Sequence, residues 1–117
     1  MSGAVSYHAG VAAEASVERA YRARGYAVDA RRWRSAAGEI DLIARSQAGT
    51  VFIEVKKARD FAAAAERLRP TQFRRIAQAA ELWLGERCGS TDSEARIDVA
   101  LVNDAGELSI IENVMAG

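Results

Sequence analysis

The sequence predicts an α/β domain in which a mixed β-sheet of about five strands is flanked by helices. Apolar residues recur at helical spacing over residues 8–24 and 70–84, and short alternating runs with turn residues between them occupy the rest. Paired strands follow one another directly, and helices separate the groups, in the order α-β-β-β-α-β-β. With 117 residues, half of them hydrophobic, we expect a single domain over 1–117 with one core.

The first helix is predicted from an apolar stripe, and glycine ends it. The stripe residues share one helical face: Gly10, Ala13, Val17, Ala20 and Tyr21. Gly25 is suited to the C-cap position. A first strand follows over 26–33, with Tyr26 and Val28 on one face and Trp33 on the other unless a bulge intervenes. The turn over 34–38 ends at Gly38, where we expect an unusual backbone angle.

The second and third strands, 38–43 and 51–56, are rich in β-branched residues and are separated by turn residues. Side chains alternate along a strand, so Val51, Ile53 and Val55 are predicted to face the core. The next segment, 57–69, is open to two interpretations. Its alanines favour a short helix, and a mobile loop that orders on substrate is the alternative.

Four charged residues share faces on the two strands, Glu39 with Asp41 and Glu54 with Lys56. An even-length loop centred between residues 47 and 48 pairs Asp41 with Glu54 and Glu39 with Lys56. An odd-length loop without a bulge would place the acids on opposite faces. Opposed carboxylates repel each other unless a cation lies between them, and Mg²⁺ prefers such oxygen ligands. Lysine, as a compact ammonium, suits a catalytic role at position 56.

The last third of the chain predicts a helix and two strands. Pro70 opens the helix at its first turn. Its buried stripe is predicted from residues at helical spacing: Phe73, Ile76, Ala77, Ala80, Trp83 and Leu84. Strands are expected over 96–102 and 108–111, joined by a turn. Asp98 is predicted to pair with Arg96, and the alternative is that it braces the site.

The segments Gly-Glu-Ile-Asp-Leu-Ile, starting at Gly38, and Phe-Ile-Glu-Val-Lys, ending at Lys56, carry a resemblance. The chain is similar to a metal-dependent nuclease superfamily whose signature is Asp…Glu-x-Lys. Here the signature consists of Asp41, a gap of twelve residues and Glu54-Val55-Lys56. The whole pattern resembles the YraN-like family of small bacterial proteins, which are grouped with archaeal Holliday-junction resolvases.

The resemblance extends to three further features: Glu14 on the first helix, Gly25-Tyr26 before the first strand, and the late Arg-x-Asp-Val strand that runs from Arg96 to Val99. It implies a restriction-endonuclease-like three-layer fold and a metal-dependent DNA endonuclease, acting on branched or recombination and repair DNA. Because resolvases need two active sites, it also implies a homodimer.

The same resemblance implies roles for individual residues. Asp41 and Glu54 would hold Mg²⁺ or Mn²⁺ with the Val55 carbonyl, and Glu39 or Glu14 would complete the coordination. Lys56 would orient the attacking water or stabilise charge on phosphate. The expected nucleic-acid contacts are Arg34, Lys57, Arg59, Gln72 and Arg75. Two positions depart from the family pattern: Ala58 stands where an arginine is usual and Gln72 where a lysine is frequent.

The distribution of charge suits a phosphate substrate, although the net charge is zero. Residues 19–75 hold fourteen of the sixteen basic residues and only six acids. With a lone cysteine, no secretory signal and no membrane span, we expect a cytoplasmic protein. The alternative function is a non-catalytic nucleic-acid-binding or protein-interaction module. Its acids would be neutralised by internal ion pairs, Glu39 with Lys56 and Asp41 with an arginine. The motif does not distinguish DNA from RNA.

Overall fold

The computed structural model describes residues 3–88 and 94–114, with side chains from residue 10 onward except that of Cys88. The elements are α1 (Gly3–Ala23), β1 (Ala27–Ser35), β2 (Gly38–Ser46), β3 (Gly49–Lys57), α2 (Phe61–Glu66), α3 (Pro70–Cys88), β4 (Ala95–Val102) and β5 (Leu108–Ile111). The predicted α/β class and element order are confirmed, and the uncertain segment 57–69 contains the short helix α2.

The five strands form one sheet in the order β1-β2-β3-β4-β5. Every neighbouring pair is antiparallel except β3 and β4, which are parallel. Their connection carries α2 and α3 across one face, as a parallel pair requires. Helix α1 packs on the other face against β1, β2 and β3. The sheet is therefore mixed and covered by helices on both sides.

Strand β3 lies at the centre of the core and is buried on both faces. Val51 and Ile53 pack with Val17 and Tyr21 of α1, which confirms the predicted inward face. Phe52 points the other way and packs against α3. A strand covered on both faces is expected to read as a continuous apolar run. A charged residue further along β3 is consequently surrounded by protein on either side.

Strand β1 is irregular at two points, yet its predicted faces are confirmed. Tyr26 and Val28 pack with the α1 cluster, whereas Trp33 packs with the α3 cluster. A register shift after Val28 turns Ala30 towards α3, away from strict alternation. Arg32 then adopts a left-handed backbone angle, φ 49°, before Trp33. Each irregularity moves the residues after it to the opposite face of the sheet. Together the two shifts leave Trp33 on the face that simple alternation from Val28 predicts.

The predicted even register between β2 and β3 is confirmed. Their loop contains only residues 47 and 48, and the ladder pairs Leu42 with Ile53. Gly38 has the expected unusual angle, φ 140°, and Gly49 has φ 129°. A Cβ atom at Gly49 would lie 2.4 Å from the Glu94 carbonyl oxygen, so only glycine fits there. This close approach fixes the start of β3 beside the start of β4.

Candidate functional site

The candidate site begins where the ladder between β2 and β3 stops. Its last pair is Leu42 with Ile53, so the predicted ladder pairs of Asp41 with Glu54 and of Glu39 with Lys56 are wrong. Instead, the Asp41 carboxylate accepts a hydrogen bond from the Val55 backbone N–H at 2.8 Å. A side-chain oxygen thus takes the place of a backbone carbonyl, and this contact holds the Asp41 carboxylate against β3.

Glu54 is a buried acid, with 7% of its surface exposed. It lies two residues after Phe52 and so shares the face that packs against α3. There the Gln72 Nε2 donates to its Oε2 at 3.4 Å. Burial is the largest of the causes that raise the pKa of Glu54 to about 9. A hydrogen bond with Asp41 and the negative charge of Asp41 also raise this pKa, whereas the positive charge of Lys56 lowers it. At neutral pH the Glu54 carboxyl is therefore protonated.

The Asp41 and Glu54 side chains together form an acid pair that carries one proton. Two carboxylates in contact cannot both ionise unless a cation lies beside them. A divalent ion would supply that cation and displace the proton. The oxygen-only donor set suits Mg²⁺ or Mn²⁺, which bind one or two protein carboxylates and complete their shell with water and phosphate oxygens. The acid pair fits such an ion.

An open cleft of about 560 Å³ adjoins the acid pair, and we call it the acid cleft. Asp41 and Val55 line it, together with Glu14 from α1. Its cations come from the end of β3, the segment after it and the end of α2: Lys56, Lys57, Arg59 and Arg67. Glu54 does not line the cleft and lies behind Asp41. The site therefore presents several cations to a bound molecule, together with the carboxylates of Asp41, Glu14 and Asp104.

Glu14 and Glu39, the two expected additional ligands, are each held by an arginine. Arg32 donates to Glu14 Oε2 through Nε at 3.0 Å and Nη2 at 2.9 Å. Arg34 forms an ion pair with Glu39 at 3.3 Å. Within residues 3–88 and 94–114, no three His, Cys, Asp or Glu side chains are placed to bind one ion. The acid pair therefore stands without a third protein carboxylate.

The expected nucleic-acid contacts are divided by the fold. Lys57 and Arg59 line the acid cleft, whereas Arg34 and Arg75 lie on the exposed surface elsewhere. Gln72 is half-buried, and its amide contacts the acid pair instead of solvent. Its proximity to Glu54 makes it a neighbour of the candidate metal ligands rather than an outlying surface residue.

Arg67 is a cleft residue that the sequence did not indicate. It is the C-cap of α2, and its Nη1 donates to the Lys57 carbonyl at 3.1 Å. Residues 57–69 have no clear apolar stripe from which to orient this arginine. Only the position of α2 on the sheet brings it to the acid cleft.

Asp98 belongs to a separate structural network. Its carboxylate accepts from Arg96 at 3.0 and 3.2 Å and from the Tyr21 hydroxyl at 2.7 Å. The Asn113 backbone N–H donates to it at 3.0 Å. None of these residues lines the acid cleft. The predicted pairing of Asp98 with Arg96 is confirmed.

Among the described helices, none has the length and apolarity to cross a bilayer. The finding rests on the described ranges of the chain alone.

Comparison with known proteins gives a consistent result. Residues 13–102 match the model of the Uncharacterised protein family UPF0102, and that range includes every candidate site residue. A UPF0102 protein of Cereibacter sphaeroides is 53% identical over 117 residues, covering 99% of each chain. One of Ruegeria pomeroyi is 50% identical, covering 95% of this chain and 90% of its own. One of Roseobacter denitrificans is 45% identical, covering 98% and 89%.

Proposed function

The chain belongs to the uncharacterised protein family UPF0102, and from this premise we propose that it is a metal-dependent endonuclease that hydrolyses phosphodiester bonds in DNA. The observation that carries the proposal is the contact between the half-buried Asp41 and the buried Glu54, an acid pair beside an open cleft with basic residues. An acid pair of this kind costs stability unless a proton or a cation joins it. Sites with such perturbed carboxyl groups are frequently functional.

Asp41 and Glu54 are the proposed protein ligands of Mg²⁺ or Mn²⁺, with the Val55 carbonyl as a third oxygen. When bound, the ion polarises the phosphate and lowers the pKa of the attacking water. Asp41 is already oriented by the Val55 N–H, so its carboxylate need not be ordered when the ion binds. Gln72 restrains Glu54 from the side of α3. These two hydrogen bonds are the support that the chain itself gives the site.

Lys56 is the proposed catalytic cation. It follows Glu54 by two residues, lines the acid cleft and lies close enough to act on the charge of Glu54. An ammonium there can orient the attacking water or stabilise negative charge that develops on the phosphate. Among the described residues Lys56 forms no ion pair, so its charge is available to the substrate.

The proposed substrate is branched or recombination and repair DNA, and the proposed assembly is a homodimer. Both come from the similarity to archaeal Holliday-junction resolvases, as does a restriction-endonuclease-like assignment of the fold. The basic residues of the cleft support a polyanion as substrate. A ribose or deoxyribose backbone would meet the same residues.

The test is metal binding, followed by cleavage. We expect Mn²⁺ to change the amide signals near residues 39–41 and 54–56 of the wild type. Asp41→Asn should abolish that response, and Asp41→Ala and Glu54→Ala should abolish cleavage of four-way, flapped and linear DNA while the fold persists. Glu66→Gln, which neutralises an exposed acid on α2, is the matched control. Cleavage at the wild-type rate by either alanine variant would contradict the proposal.

Proton release gives an independent measurement. Because Glu54 must lose its proton to bind an ion, we expect nearly one proton to be released per Mn²⁺ at pH 7. Calorimetry in two buffers with different heats of ionisation measures this number directly. Binding without proton release would place the ion elsewhere on the protein.

The alternative, a non-catalytic nucleic-acid-binding or protein-interaction module, has one observation in its favour. Arg32 and Arg34 hold Glu14 and Glu39, so only two carboxylates meet at the site. However, the Glu39–Lys56 ion pair which that alternative expected does not occur among the described residues, where Glu39 pairs with Arg34 instead. DNA binding that persists without any metal response would favour it.

A further inference from the structure

The acid cleft contains cations of two kinds. Four basic residues line it: Lys56, Lys57, Arg59 and Arg67. Lys57 pairs with Asp104 at 3.2 Å, and Arg59 pairs with Asp60 at 3.3 Å. The other two form no ion pair within the described ranges of the chain. Lys56 adjoins the acid pair, whereas Arg67 lines the cleft from the end of α2. Arg67 therefore brings a charge to the cleft that no described carboxylate balances.

Arg67 is held in place by its helix and by β3. Helix α2 is anchored through Ala64, which is fully buried in a cluster with Val99 and Leu101 of β4. The Arg67 backbone N–H donates to the Ala64 and Ala65 carbonyls. Its guanidinium donates to the Lys57 carbonyl at the end of β3. A side chain restrained at both ends loses little conformational entropy when it binds a ligand.

The chemistry of a guanidinium selects the ligand. It carries five N–H donors, and Nη1 donates to the Lys57 carbonyl. The remaining donors match the oxygens of a phosphate, which a planar guanidinium binds in a bidentate manner. In the proposed function, a scissile phosphate lies at Asp41 and Glu54, and the same strand must continue along the cleft. Its next phosphates then pass the rim that Arg67 forms.

We propose that Arg67 binds a backbone phosphate next to the scissile one and so fixes the direction of the DNA strand across the acid cleft. This inference rests on the proposed function and assigns Arg67 as a positioning residue, not a catalytic one. Its phosphate contact is electrostatic and independent of base sequence. It also gives α2 a role, since this helix carries the arginine to a cleft built by α1 and β3.

The experiment measures DNA binding in EDTA, where the metal makes no contribution. A fluorescent 20-base-pair duplex is titrated with the wild type, Arg67→Gln, Arg67→Lys and Arg69→Gln at several salt concentrations. Arg69 is the matched control, an exposed arginine two residues away that does not line the cleft. We expect Arg67→Gln to lower the slope of log K against log salt by about one. Arg67→Lys should retain most of the slope, and Arg69→Gln should retain nearly all of it.

Each result has a defined meaning. Equal slopes for Arg67→Gln and the wild type would overturn the inference, as would equal losses in Arg67→Gln and Arg69→Gln. Failure of the wild type to bind DNA would overturn it as well. If Arg67→Gln lowers the slope but the wild type shows no metal response, the phosphate contact of Arg67 stands, whereas the nuclease proposal and the position of that phosphate beside a scissile one fail. If metal binding and cleavage depend on Asp41 but Arg67→Gln leaves the slope unchanged, the nuclease proposal stands and the inference about Arg67 fails. Thermal unfolding verifies that each variant is folded.

Discussion

Asp98 and Glu54 are the two buried acids of the described part of the chain, and their surroundings differ completely. Asp98 is fully buried and accepts four hydrogen bonds, two of them from Arg96. Glu54 has one long hydrogen bond from Gln72 and a second carboxyl group, Asp41, as its neighbour. One acid has a complete set of donors, and the other has an acid for a partner.

Under the proposed function, this difference separates a structural charge from a metal ligand. A buried carboxylate is costly unless a countercharge and donors compensate it. The chain provides these for Asp98, whose contacts join α1, β4 and the segment after β5. Glu54 has only a long hydrogen bond from Gln72 and the nearby charge of Lys56, and burial beside Asp41 raises its pKa. Such an acid pair weakens the folded state, and under the proposed function a bound ion would compensate for this cost.

The largest expected effect on stability comes from disrupting the contacts of Asp98. Asp98→Asn should lower the free energy of unfolding by about 3 kcal/mol, because Arg96 loses its countercharge in a partly buried position. Asp41→Asn, measured as the control, should change it by about 1 kcal/mol or less. Urea denaturation gives both values. Similar losses in the two variants would mean that both acids serve stability.

At the acid pair we expect a substitution to increase the free energy of unfolding, in contrast to Asp98→Asn. The folded-state pKa of Glu54, about 9, lies above its ordinary value of 4.5, so the folded state holds a proton that the unfolded state loses. This contribution is complete below about pH 4.5 and is lost as the pH rises towards 9. Glu54→Gln removes the titration and should stabilise the metal-free protein by about 2–3 kcal/mol at pH 7.

Urea denaturation at pH 5, 7 and 8.5 in EDTA measures that effect. The free energy of unfolding of Glu54→Gln, relative to that of the wild type, should increase progressively with pH. If the difference in free energy of unfolding between Glu54→Gln and the wild type is the same at all three pH values, Glu54 is ionised in the folded state. The comparison with Asp98 would then lose its basis.

A smaller effect should follow removal of one donor from Asp98. Burial and the hydrogen bond to Asp98 raise the pKa of Tyr21, so its hydroxyl remains a donor at every working pH. Tyr21→Phe should reduce the free energy of unfolding by about 1–2 kcal/mol. Tyr26→Phe, in the ring that packs edge-on at 5.5 Å, should change it much less. Equal losses would assign the effect to ring packing.

The sequence determined the order of elements and the register of the central hairpin. Helical and strand periodicities depend on backbone geometry, which operates over a few residues. The two-residue loop fixed the pairing of Leu42 with Ile53, and with it the approach of Asp41 to Glu54. The need for Gly38 followed from the turn. Helical spacing also gave most of the α3 stripe, although it missed Ala79, which is fully buried.

Tertiary structure alone decided which charges meet. Glu14 pairs with Arg32 across 18 positions in the chain, and Tyr21 reaches Asp98 across 77. Arg67 enters the acid cleft because Ala64 packs α2 against β4. Strand alternation is set by neighbouring residues, whereas an ion pair depends on the distance between side chains on different elements. A sequence pattern can therefore place two acids on adjoining strands, but only the packed helices show which acids acquire an arginine and which remain a pair.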